Sequence, residues 1–158
     1  MTTTSKPKKL CWFSLYVFAD KALLPTTRAT NQGDFDVEPV KEIDYRNRAA
    51  LIGALSEAFA IGNPKMDPPD KQTTPMEIRS KSKSWADLER KSIYFSIKCY
   101  PSEFWIKSWG RSPDGKWSDD LLLDMHIPTE HGLEAVADAI INHLNTRRDL
   151  PGLMSESA

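Results

Sequence analysis

The sequence predicts an α+β domain: one antiparallel sheet of about five strands, covered on one face by two long helices. Three observations predict it. Aromatic and β-branched stretches at Cys11–Phe18 and again through 93–127 have strand character. Two segments repeat apolar residues at helical spacing. The last three strands are joined by turns too short for anything but antiparallel neighbours.

Composition agrees with one ordinary globular unit. The chain has 158 residues, 40% hydrophobic and 27% charged, which sets it apart from disordered, collagen-like and disulfide-scaffold classes. Its 21 Lys plus Arg against 22 Asp plus Glu leave a charge of −1, which argues against a protein built to coat DNA. No apolar run approaches the ~18 residues that cross a bilayer. Residues 1–9 read as a disordered tail, 10–150 as a single domain with a Pro-rich loop at 62–83, and 151–158 as a flexible tail. A basic start before Leu10–Ala19 invites a signal-peptide reading, but no small-x-small cleavage site follows. The expectation is a buried first strand in a cytoplasmic protein.

Element by element, Cys11–Phe18 reads as a central strand buried on both faces. Asp20–Asp34, with Pro25, Asn31 and Gly33, reads as a loop. Phe35–Ile43 forms a strand that Pro39 pushes to an edge. Asp44 is the expected N-cap of a helix carrying Leu51, Ile52, Leu55, Ala58 and Phe59, which Gly62 and Asn63-Pro64 stop. Ser84–Asp87 fits a capping box opening a short helix with Trp85 and Leu88 inward. Strands follow at Ile93–Tyr100, Glu103–Gly110 and Trp117–Ile127, with turns at Tyr100–Glu103 and Ser112–Gly115. Thr129 is the expected cap of a last helix with one apolar stripe of Leu133, Val136, Ala137, Ile140, Ile141 and Leu144. Glu130 and Glu134 near its start and Arg147 and Arg148 near its end suit the helix dipole.

Strand alternation sorts the meander into two faces. Ile93, Phe95, Ile97, Cys99, Phe104, Ile106, Leu121, Leu123, Met125 and Ile127 form the expected core face. Tyr94, Ser96, Lys98 and Tyr100, with Trp105, Lys107 and Trp109, and Ser118, Asp120, Leu122, Asp124 and His126, form the other. If helices cover one face alone, this second face meets solvent, and rings among mixed charges suit a recognition surface. Aromatic cross-strand pairs also stabilise sheets with no partner at all.

Catalytic and metal motifs are not supported. His131, Glu134 and Asp138 share a polar helix face but read as solvated surface. Asp124 and His126 lack an accompanying nucleophile motif, and phosphate-loop, dinucleotide and zinc-protease signatures are missing. Asp70 with Glu89 and Lys91 imitates a nuclease metal motif, but a loop and a helix do not supply its rigid sheet. His143 falls at the edge of the buried stripe. No cofactor and no metal are expected. Cys11 and Cys99 read as buried thiols, and a disulfide between them requires neighbouring strands.

The helix ending Gly62-Asn63-Pro64, a loop, Ser84-Trp85 with Leu88-Glu89, and a Tyr/Trp-rich meander closed by a helix together resemble the immunity proteins of bacterial contact-dependent growth inhibition and related toxin systems. The resemblance spans residues 43–145 and carries over no binding residue. It implies a small cytoplasmic α+β protein that neutralises one cognate toxin, commonly a nuclease, by occlusion. The near-neutral charge departs from the many acidic members of that group. On this reading Tyr94, Trp105, Lys107, Trp109, Asp120 and Asp124 form the partner surface, with Asp34, Asp36 and Glu38 as a second acidic contact. The alternative is single-stranded nucleic-acid binding, in which Tyr94, Tyr100, Trp105 and Trp109 stack bases beside Lys98, Lys107 and Arg111.

Overall fold

Strand β1 (Cys11–Phe18) lies at the centre of a six-stranded antiparallel sheet in the computed structural model, which describes residues 10–68 and 75–153. On one side it is followed by β2 (Ala22–Thr30) and the edge strand β3 (Gly33–Ile43). On the other come β4 (Ser92–Cys99), β5 (Glu103–Arg111) and the second edge strand β6 (Trp117–Pro128). Helices α1 (Arg48–Ile61) and α4 (Gly132–Thr146) are long; α2 (Pro75–Arg79) and α3 (Trp85–Arg90) are short.

The continuous apolar run of β1 exists because the strand feeds two cores. Cys11, Phe13, Leu15 and Val17 join the main core, with Leu51, Ala54 and Leu55 of α1 and Val136, Ala137, Ile140 and Leu144 of α4. Phe59 anchors α1, its ring 4.8 Å from Phe13 and 5.5 Å from Phe104. Tyr16 and Phe18 point the other way, into a smaller cluster with Leu23, Met76 of α2 and Leu88 of α3. Two long helices therefore cover one face as expected. The reverse face is not free throughout, because α2 and α3 roof part of it.

The region expected to be a loop at Asp20–Asp34 is largely strand β2, the sixth strand. Pro25 misled the reading: it sits at a bulge, between Pro25 and Thr26, where a missing N–H is tolerated. Pro39 does mark an edge strand. The α1 cap is Asn47, whose side chain accepts from the Ala50 N–H, whereas Asp44 bonds Arg46. Gly62 does stop the helix, at φ 72°, its N–H bonded to Ala58 O. Ser84 caps α3 through the Asp87 N–H; Asp87 reaches back to the Lys83 N–H, one residue beyond the Ser84 N–H that a reciprocal box would use. Thr129 opens a single 3₁₀ turn, Thr129–His131, and α4 begins after it.

The segment after α1 is structural. β1 and β2 pair only at Tyr16–Leu23 and Val17–Ala22 and then splay apart. Asn63 to Met66 fills the split: Ala29 N–H donates to Pro64 O and Met66 N–H to Ala29 O. The chain thus passes from the α1 face of the sheet to the α2–α3 face. Asp70 lies outside the described residues.

Candidate recognition surface

Three strands set Trp105 in place. On the reverse face of the sheet it stands opposite Lys98 of β4 and His126 of β6, while Lys107, two residues on, stands opposite Asp124. The ring of His126 is stacked on the indole, centroids 4.9 Å apart and 20° from parallel. Lys107 Nζ lies 3.7 Å from the indole centroid and Lys98 Nζ 5.5 Å. The indole Nε1–H donates to Asp124 Oδ1, and His126 Nδ1 pairs with Glu103. Stacking, cation–π contact and an edge hydrogen bond all restrict one half-buried ring, so little rotamer entropy remains to be lost on binding. Trp12, across from Lys98, extends the patch; its Nε1–H donates to Ser96 Oγ at 3.0 Å. Alternation along the first strand was the signal for it, obscured because both faces of that strand are apolar.

Tyr94 and Trp109 belong to a different environment. Their rings lie 5.7 Å apart and continue into Trp117, Tyr16 and Trp85 beneath α3. The Tyr94 hydroxyl shares a 2.7 Å hydrogen bond with Ser14, and burial pushes its phenol up to about 12. These two side chains therefore back the Trp105 patch as packed aromatic structure rather than standing as free stacking platforms.

The expected acidic contacts do not come together. Asp34, Asp36 and Glu38 are on β3, at the opposite edge of the sheet from β6. Asp36 turns inward, accepting from Tyr16 Oη at 2.7 Å and Thr27 Oγ1 at 2.9 Å, and burial raises its carboxyl above the usual range. Glu38 forms a two-pronged pair with Arg79 of α2, both bonds 2.9 Å.

Asp120 also stands apart. The β5–β6 register shifts after Ser108–Leu123, so Leu121 comes opposite Trp109 and Leu122 is the additional residue. A one-residue shift exchanges the faces. Leu121 and Met125, expected in the core, are exposed: the shift carries Leu121 to the face of Trp109, and Met125 stays opposite Ile106 but on the open edge strand. Ser118 and Leu122 flank Gly110 instead, and Asp120 lies exposed between them, its N–H on Ser118 Oγ.

Arg111 is occupied. Its Nη1 donates to Glu89 O, Arg90 O and Gly115 O, its Nη2 to Ser92 O, and its Nε to Asp149. Asp138, considered with His131 and Glu134, takes a bidentate grip from Arg48 of α1 at 2.7 and 3.2 Å. His143 is buried beside Phe95 and Arg147, and burial lowers its imidazole to about 4. Cys11 and Cys99 are buried free thiols in directly opposed register.

One apolar groove of about 150 Å³ runs between α1 and the β2–β3 edge over Phe13 and Leu24, with Lys41 and Glu57 paired at its rim. The described residues contain no helix long and apolar enough to cross a membrane. No family model and no curated protein matches the chain. Its fold is similar to that of a solved Neisseria meningitidis protein of unknown function, NMB0488. The TM-score is 0.60 at 12% identity, over 93% of this chain and 100% of that one.

Proposed function

We propose that this chain is a non-catalytic protein-binding module: a cytoplasmic immunity protein that binds one cognate bacterial toxin, a nuclease in the simplest case, and neutralises it by occlusion. The observation that carries the reading is the immobilised Trp105, ringed by cations and carboxylates on a face that the long helices leave uncovered. A rigid aromatic anchor inside a mixed-charge rim is the usual centre of a protein interface. About 800 Å² per partner around it would cover an active site or the path of its substrate. Asp124 and Glu103 are suited to toxin lysines and arginines that otherwise hold phosphate, and Lys98 and Lys107 to its acids.

The nucleic-acid alternative is less well supported. Asp124 touches the very ring on which a base would stack, and Arg111 has its donors committed to backbone carbonyls and Asp149.

Calorimetry with the protein encoded by the adjacent gene tests the proposal. The expected result is micromolar or tighter binding that weakens at least about a hundredfold in Trp105→Ala and Asp124→Ala. Unchanged affinity in both variants removes the site, and retention of an oligonucleotide at low salt would favour the alternative.

A further inference from the structure

We propose that the outer edge of β6 docks an extended segment of the protein partner by strand addition, and that this segment carries lysine or arginine among apolar residues. The inference rests on the protein-binding reading above and names the chemistry of the partner.

The two edges of the sheet are treated differently. β3 has Pro39 in its interior, Glu38 tied to Arg79 of α2, and Lys41 tied to Glu57 of α1, devices that blunt an edge against pairing. β6 runs for 12 residues with no proline before Pro128. Among the described residues it pairs with β5 on one side alone. Leu121, Leu122 and Met125 along it are 42%, 53% and 39% exposed. An edge with unpaired backbone groups and open apolar side chains is a template for another strand.

Charge selects the occupant. β6 contributes Asp119, Asp120 and Asp124 and no lysine or arginine. A second copy would bring three more aspartates against these three, and like charges across a strand pair destabilise it. A basic, apolar strand meets opposite charge instead. Continuity points the same way: Asp124 and His126, which hold Trp105 from the side, are themselves β6 residues. A partner seated on the Trp105 patch therefore borders this edge.

The test is amide hydrogen exchange of the full chain with synthetic peptides of about ten residues, an ordinary strand length. One peptide alternates valine and lysine; a control alternates valine and glutamate. The expected result is saturable binding of the lysine peptide, protecting β6 amides and not those of β3. The Asp119→Lys/Asp120→Lys variant should reverse the preference, binding the glutamate peptide at least about tenfold more tightly than the lysine peptide. Met125→Pro, checked for intact folding by near-UV circular dichroism, should lose the protection. Absence of binding at about 1 mM overturns strand addition. So does peptide binding that quenches tryptophan fluorescence without protecting β6, although that result leaves the Trp105 patch standing. Concentration-dependent dimers that protect β6 without peptide overturn the choice of occupant in favour of a second copy.

Discussion

The side-chain amide of Asn63 grips the backbone of Trp12 at both ends of that residue. Asn63 Oδ1 accepts from the Trp12 N–H at 2.9 Å, and Asn63 Nδ2 donates to the Trp12 carbonyl at 2.9 Å. The same Nδ2 donates to Thr27 O at 2.8 Å. One amide thus replaces the strand pairing that β1 and β2 lose where they diverge, and it satisfies backbone groups that would otherwise be orphaned at the split.

Asn63→Ala should cost about 2–3 kcal/mol in urea unfolding, since partly buried backbone groups lose their partners. Asn63→Asp should cost more at neutral pH. A carboxylate still accepts from Trp12 N–H, but its second oxygen then faces the carbonyls of Trp12 and Thr27 with no proton between them. If the aspartate variant is as stable as wild type, the bridge does not hold the split.

Arg111 closes the meander onto α3 and the chain beyond α4. Arg111→Lys retains the charge but not the planar fork that meets four carbonyls and Asp149. A loss of about 2–4 kcal/mol is expected, with faster hydrogen exchange around Glu89–Ser92. A lysine variant within about 0.5 kcal/mol of wild type would show that the carbonyls are satisfied by water instead.

His143 and Asp149 give acid sensitivity in two windows. Burial and the neighbouring Arg147 lower His143 to about 4 from 6.5, so the unfolded chain binds its proton first. Stability is full above pH about 6.5 and falls toward pH 4, by on the order of 3 kcal/mol. Asp149, held down to about 2 by its hydrogen bonds from Arg147, adds stability that is present above its ordinary value of 3.8 and lost as pH falls to 2. His143→Gln should flatten the upper window and leave the lower one; a variant with the wild-type slope between pH 6.5 and 4 would assign that slope elsewhere.

Asp36 has the opposite sign. Burial raises its carboxyl, so the stability associated with its protonated form is present below 3.8 and lost as pH rises through the folded value. The Tyr16 hydroxyl offsets part of this by donating to the carboxylate. Tyr16→Phe should raise the Asp36 carboxyl further, read by carboxyl-carbon NMR titration; a downward movement would contradict the donor assignment.

Legibility followed physical locality. Gly62, Ser84 and the apolar stripes of α1 and α4 were readable because a cap or a helix face is decided within a turn or two of chain. The pairs Trp105–His126 and Lys107–Asp124 were readable as a face because the β5–β6 register is regular from Glu103 to Ser108. Leu121, Leu122 and Asp120 were misplaced because a bulge, invisible in the letters, shifts the alternation beyond Leu123. Ala22–Thr30 was missed because Pro25 looks like a strand breaker unless the bulge that accommodates it is known.

Taken alone, the amino-acid order determined the α+β class, the two long helices, the meander and the side of it on which Trp105 falls, since each follows from the direction successive side chains take along a local backbone. Tertiary structure decided which part of that side is open. Met76 and Leu88, brought across the sheet through the gap held by Asn63, bury the Tyr16 end and leave the Trp105 end to solvent. Those contacts join residues dozens of positions apart, where no periodicity links one partner to the other.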